Sequence, residues 1–247
     1  SITVLHTYSQ DFRKYFDHYG VSGSFIMYDM NNDKYVYYDS ARCFERYTPA
    51  STFKIPNSII GLETGVITDE NFVIPWDSVK RRETCNKDMN LKEAIKYSCV
   101  PYYQELARRV GEEKMKEMLL AFNYGNLDIS DGIDQFWLKG SLKISQAEQI
   151  DFLKKLYKYE LPVSKRSIDI LKSIIVLADT SGYVMRGKTG WGFQDNKDIG
   201  WLVGWVEKDG NVYFYATNIE SYTEKESFAG ARRSITENIL RDLGVIK

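Results

Sequence analysis

Histidine, cysteine and charge imbalance are all scarce in this chain of 247 residues, and each shortage narrows its chemistry. The only histidines are His6 and His18, both in the first segment. A histidine-based metal site or a Ser-His-Asp triad would have to draw on that segment, which argues against both. The three cysteines, Cys43, Cys85 and Cys99, cannot all pair within the chain, and their spacing fits no zinc motif. At most one disulfide can form, so cysteine usage does not decide the compartment. With 33 Lys+Arg against 34 Asp+Glu the net charge is -1, so no global positive field recruits nucleic acid or anionic lipid. Apolar runs fall far short of a membrane span. Five prolines and 17 glycines exclude collagen-like and linker-rich designs. No signal peptide is visible, and a start at Ser1 suits a processed precursor and a trimmed chain equally.

What remains is the material of a folded core. Hydrophobic residues make up 43% and charged residues 27% of the chain. At this length roughly 70–75% of the unfolded surface can be buried on folding. Aromatic residues at helical spacing predict a short helix over 8–19. Residues 23–39 predict two strands around the turn Asn31-Asn32-Asp33. Helices are predicted from 51 to 64, over 89–110 with a break at Ser98-Cys99-Val100 before Pro101, and over 112–122. Another is predicted over 145–160, where Ser145 and Glu148 form a capping box. Strands return at 183–191 and as a hairpin over 199–220, turning at Asp209-Gly210. In its first arm Trp201, Val203 and Trp205 face one way, Leu202 and Val206 the other. Two apolar faces predict a central strand covered on both sides. A helix over 230–242 closes the chain.

This order predicts an α+β fold: an antiparallel sheet from both chain ends, packed against helices, with a mainly helical region inserted. The sheet-forming parts are expected at about 20–50 and 183–247, and the helical part at about 51–182. No Gly/Ser/Pro linker divides them, so residues 1–247 are expected to form one interleaved domain.

Several short motifs could carry chemistry. On a helix starting near Ser51, Ser51 and Lys54 share a face. A serine hydroxyl is a poor nucleophile until a base takes its proton, and a lysine amine kept neutral by apolar surroundings can be that base. The plainer reading is a capping serine and a lysine reaching to solvent. Lys188-Thr189-Gly190 ends a predicted strand, where lysine and threonine can hold an anion and glycine admits a ligand close to the backbone. Ser98 beside the helix break can relay a proton or satisfy a local carbonyl. Tyr124-Gly125-Asn126 reads as a helix-ending turn.

The order of these motifs matters more than any one of them. Ser-x-x-Lys, then a serine at a helix break, then Lys-Thr-Gly on a late strand is the order found in serine penicillin-binding proteins and β-lactamases. The sequence resembles the class D serine β-lactamases, the oxacillinase group. The resemblance spans nearly the whole chain and is carried by PASTFKIPNSIIGLETGVI (49–67), Ser98-Cys99-Val100, Tyr124-Gly125-Asn126, FWLKGSLKIS (136–145), the KTG at 188–190 and GWLVGWVEKDGNVYF (200–214).

The resemblance implies a fold and a set of roles. The fold is that of the penicillin-recognising serine enzymes. Ser51 matches the nucleophile that opens the β-lactam ring and becomes acylated. Lys54 matches the lysine that takes up carbon dioxide as an N-carboxylated side chain and then serves as general base. Trp137 matches the donor that steadies the carbamate, with Val100, Phe53 and Leu138 as its apolar surround. Ser98 would pass a proton to the departing ring nitrogen, supported by Lys188. Thr189 and Arg232 would bind the substrate carboxylate beside Gly190, with Arg233 leaving the register open by one residue. The backbone N–H groups of Ser51 and Trp191 would form the oxyanion hole. No metal and no cofactor beyond carbon dioxide or bicarbonate is implied.

The chain also departs from the family. The loop around Cys85 lacks the tryptophan many members carry, and Trp191-Gly192-Phe193 follows the KTG where relatives have smaller residues. Cys99 is expected to be a buried small hydrophobe, and Cys43 to be unpaired. The leading functional expectation is β-lactam hydrolysis outside the cytoplasm, secreted or periplasmic after signal cleavage. The partner is a small β-lactam, with no nucleic acid and no transmembrane segment in this chain. A homodimer is neither required nor excluded. The alternative is the extracellular, membrane-tethered sensor of an antibiotic-response protein, acylated at the same serine but hardly deacylated. A penicillin-binding transpeptidase is weaker for want of a second domain. A purely structural protein would leave Ser51, Lys54, Ser98 and Lys188 unexplained.

Overall fold

The aromatic and β-branched stretches at the two ends of the chain pair into a six-stranded antiparallel sheet. The structure is a computed structural model that describes residues 12–223 and 226–247. Helix α1 (Arg13–Tyr19) precedes strands β1 (Ser22–Asp29), β2 (Lys34–Tyr38) and the short β3 (Arg46–Tyr47). Then come α2 (Lys54–Glu63), β4 (Val73–Ile74), β5 (Met89–Asn90), α3 (Leu91–Lys96), α4 (Val100–Val110) and α5 (Glu112–Phe122). The middle ends with α6 (Phe136–Lys139), β6 (Ile144–Ser145), α7 (Gln146–Tyr157) and α8 (Lys165–Ile174). Strands β7 (Val176–Asp179), β8 (Val184–Gln194), β9 (Lys197–Lys208) and β10 (Asn211–Ser221) lead to the closing helix α9 (Phe228–Asp242).

The sheet order is β2-β1-β10-β9-β8-β7, so the N-terminal hairpin docks on the last strand. The fold is α+β, as the strands at both chain ends and the helices between them predict. Strand β9 is buried on both faces, as its sequence implies. Trp201, Val203 and Trp205 join the core shared with the helical region. Leu202 and Val206 join a second core under α1 and α9. The turn at Asp209-Gly210 has positive φ at both residues, as a tight two-residue hairpin demands.

The helical middle follows its capping signals. The Ser145 hydroxyl accepts from the Glu148 N–H, and the Glu148 carboxylate accepts from the Ser145 N–H, completing the predicted capping box. The break in 89–110 is real: α3 stops at Lys96 and α4 starts at Val100. The first predicted helix is present as α1 from Arg13 to Tyr19, and residues 8–11 of that prediction, with His6, lie outside the described residues. The predicted strand 183–191 runs on to Gln194 and turns through Asp195-Asn196, both with positive φ, directly into β9. Helix α8 was not anticipated, although Ser164 caps it by accepting from the Ser167 N–H.

One expectation fails outright. Cys99 is not a lone hydrophobe: it forms a disulfide with Cys85, with 5.6 Å between their Cα atoms. The bond ties the turn at the start of α4 to the loop between β4 and β5. Cys43 is free and buried, and burial pushes its thiol up to about 12.

Candidate active site

The Ser-x-x-Lys segment does not begin as an α-helix. Residues Ala50–Phe53 form a turn of 3-10 helix, and α2 takes over at Lys54. In a 3-10 turn side chains three apart eclipse each other, a tighter stacking than an α-helix gives. Lys54 Nζ accordingly lies 2.9 Å from Ser51 Oγ. Pro56 falls in the first turn of α2, where a missing N–H costs nothing.

The residues before Ser51 are clamped from several directions. The Trp201 indole donates to the Thr48 carbonyl at 2.9 Å, and the Thr48 hydroxyl donates to the Trp137 carbonyl at 3.1 Å. The Gln149 amide donates to the Thr52 hydroxyl at 3.0 Å, and that hydroxyl donates to the Pro49 carbonyl at 2.7 Å. Strand β8 runs alongside. It pairs with β7 only as far as Arg186, and beyond that its outer edge faces this turn. A Cβ at Gly190 would come within 3.0 Å of the Pro49 carbonyl, so the close approach depends on glycine there.

Lys54 is fully buried. Burial is the main reason its amine lies well below the usual lysine range, and the charges of Lys188 and Arg82 push it further down. Among the described residues no carboxylate pairs with it. Its ammonium form would face the Tyr103 ring, 5.1 Å away. Phe53 packs flat against Trp137 with 5.4 Å between ring centres, and Leu138 borders the same cluster. The Trp137 indole N–H is buried with no hydrogen-bond partner among the described residues. Tyr124 packs edge-on to Phe53 at 5.7 Å, and Asn126 ties down Ser141 and Lys143 of the segment after α6. Tyr124-Gly125-Asn126 therefore braces the Trp137 segment.

Ser98 ends α3. Its N–H bonds to the Ile95 carbonyl and the Cys99 N–H to the Ala94 carbonyl, the pairing of a Schellman motif. That motif places Ser98 at the left-handed position, with φ 55°. A serine there costs roughly 1–2 kcal/mol relative to the right-handed region. Val100, partly buried, opens α4 two residues on.

Lys188 is buried on β8, and burial with the charges of Arg232 and Arg82 lowers its amine to about 7. It reaches the Thr189 carbonyl at 3.2 Å. Arg232 comes from α9 and is also buried, which lowers its guanidinium to about 10. It donates to the Gly190 and Ala229 carbonyls and lies 5.7 Å from the Trp191 ring. Arg233 instead points outward to Glu237, which settles which arginine meets β8. Trp191 and Phe193 are exposed at 42% and 59%. Ser51, Lys54, Lys188 and Arg232 thus stand on adjoining elements. Sequence reasoning missed Arg82 and the Cys85–Cys99 bond. A groove of about 270 Å³ is lined by both of these cysteines, Trp76 and Tyr102, but not by Ser51.

The chain is similar to known proteins over most of its length. The Transpeptidase family, described as the penicillin binding protein transpeptidase domain, matches residues 23–243. The chain is 42% identical to Beta-lactamase OXA-48 of Klebsiella pneumoniae over 239 residues, 96% of this chain and 89% of the relative. It superposes on the class D β-lactamase of Sebaldella termitidis with a TM-score of 0.93 at 42% identity, covering 96% of each chain. It superposes on the C-terminal domain of the Bacillus licheniformis BlaR penicillin-receptor with a TM-score of 0.91 at 33% identity, again covering 96% of each.

Proposed function

The chain belongs to the class D serine β-lactamases, and from that premise we propose a hydrolytic cycle in which Ser51 is the nucleophile and a carboxylated Lys54 the base. Family membership supports acylation of a serine and hydrolysis of the acyl-enzyme. The observation that carries the finer reading is the state of Lys54: fully buried, beside Ser51 Oγ, and pushed toward a neutral amine. Only the neutral amine adds to carbon dioxide, forming an N–C bond and releasing a proton to leave a carbamate anion. A buried anion needs donors. The orphaned Trp137 indole N–H is such a donor, on the ring stacked against the neighbour of Lys54. The residues present therefore fit the modification.

In this reading Ser51 gives its proton to the base as Oγ attacks the lactam carbonyl. The carbonyl oxygen is received by the N–H groups of Ser51 and Trp191, a contribution worth about 3–4 kcal/mol per donor. The C–N bond breaks and Ser98 protonates the ring nitrogen, with Lys188 supporting the transfer. Thr189 and Arg232 hold the carboxylate, and the planar guanidinium suits it. Val100, Phe53 and Leu138 keep the base dry. In the second half the same base activates water against the ester.

We place the activity outside the cytoplasm, where the Cys85–Cys99 disulfide persists. No helix among the described residues is long and apolar enough to cross a membrane. The substrate is a small β-lactam. The test is the time course of penicillin ring opening at known enzyme concentration with bicarbonate present. Many turnovers per protein are expected. A single stoichiometric burst with a lasting adduct on Ser51 would favour a receptor like the BlaR domain, and no burst would overturn the acylating serine.

A further inference from the structure

The loop over residues 75–88 ends on the cleft through a covalent bond. The Trp76 N–H donates to the Asp88 carboxylate at 2.9 Å, and the Trp76 indole to the Val79 carbonyl at 3.1 Å. The Arg81 N–H donates to the Asn86 side chain at 2.8 Å, whose amide returns to the Arg81 carbonyl at 3.3 Å. Between them a 3-10 turn, Glu83–Cys85, closes with the Cys85 N–H on the Arg82 carbonyl at 2.8 Å. Cys85 is bonded to Cys99, the residue after Ser98. Arg82 is thus fixed to the Ser98 turn by one short turn and a disulfide. Its guanidinium folds back over the bridge, with Nη2 3.6 Å from Cys85 Sγ.

The charge pattern of the loop singles out this residue. Arg81 pairs with Asp77 and Lys87 with Glu93. Among the described residues no carboxylate lies within ion-pair distance of Arg82. Its charge helps to lower the amines of both Lys54 and Lys188. The Cys85–Cys99 bridge, with the Arg82 guanidinium folded onto it, sets Arg82 on the Ser98 side, while Arg232 lies along β8 at Gly190. Like charges gathered without an acid favour an anion in the cleft. The ring carboxylate is already accounted for by Thr189 and Arg232.

We propose that Arg82 is a specificity-determining residue whose guanidinium binds an anionic substituent that a β-lactam carries in addition to its ring carboxylate, with the Cys85–Cys99 bridge holding it in place. The proposal rests on the β-lactamase reading. It assigns the enzyme a preference for dianionic over monoanionic penicillins of the same shape. A guanidinium suits this task because its fork matches a carboxylate.

The test compares carbenicillin with benzylpenicillin, which differ by one side-chain carboxylate. The quantity read is the ratio of their kcat/KM values in the intact enzyme and in Arg82→Ala, Arg82→Lys and Arg82→Glu. Arg82→Ala is expected to lower the ratio about tenfold, mostly through KM, with Arg82→Lys between it and the parent and Arg82→Glu lower still. Rising salt should lower the ratio of the parent enzyme and leave that of Arg82→Ala flat. A Cys85→Ser/Cys99→Ser double variant should lower the ratio less than Arg82→Ala, and an unchanged ratio there would overturn the role of the bridge. If Arg82→Ala slows both penicillins alike, its charge serves the lysines and the proposal fails. An unchanged ratio with unchanged rates overturns it too. Failure of the parent enzyme to turn over benzylpenicillin would strike the proposed function itself, a result separable from either.

Discussion

The two faces of the sheet are built to different standards. Beneath α1 and α9 the core is plain hydrocarbon and aromatic packing, with Phe16, Phe25, Leu202, Ile235, Ile239 and Leu240 meeting across it. On the opposite face an equally dry core contains a fully buried lysine and a buried indole N–H that, among the described residues, have no counter-ion and no acceptor, and a partly buried serine in the left-handed region borders it. A buried polar group left unpaired costs about 1–3 kcal/mol, more for a charge. The first face therefore only stabilises the molecule, whereas the second combines a hydrophobic core with unpaired groups that cost stability. Breaking either face should give a different signature.

The largest effect is expected on the second face. Trp137→Phe keeps an aromatic ring on Phe53 and removes only the donor. Deacylation should slow on the order of a hundredfold, comparable to the loss of one fixed donor in a charged transition state. Acylation should slow less, and added bicarbonate should partly restore the rate. Single-turnover kinetics with a chromogenic cephalosporin separate the two steps, and equal slowing of both without rescue would remove the distinction. A smaller functional effect is expected on the first face. Leu240→Ala should cost about 2–5 kcal/mol of stability in urea melts through the cavity it leaves. Its kcat at a temperature where it stays folded should match the parent. A drop in kcat with unchanged stability would mean that the faces are not separable in this way.

The sequence announces the packing of both faces far better than the unpaired groups set into the second. Alternating Trp201, Leu202, Val203, Trp205 and Val206 predict a strand covered twice, because period-two burial is a local property. Ser145 and Glu148 mark a helix start for the same reason. The order of Ser51, Lys54, Ser98 and Lys188 points to the site through the family resemblance, whereas their separate motifs have plain structural readings. The Cys85–Cys99 bond was not legible. Pairing requires two Cα atoms within about 4.4–6.8 Å, and two cysteines in different segments carry no local sign of that. Arg82 was hidden because an arginine in a polar loop looks like any solvated charge until its neighbours are seen to lack acids. Helix α8 was obscured by the isoleucines in KRSIDILKSI, which serve a strand equally well.

The central claim is that Lys54 is held neutral so that it can be carboxylated. The most direct measurement is carbon NMR of the enzyme with isotopically labelled bicarbonate, taken across pH beside the steady-state rate. Because the Lys54 amine is depressed by burial, it is neutral above its lowered pKa and becomes an ammonium as pH falls through it. Protonation expels carbon dioxide. The account predicts a single carbamate signal that is absent in Lys54→Ala and that fades toward acid in step with deacylation, both returning with bicarbonate. Full turnover with no carbamate signal would contradict it.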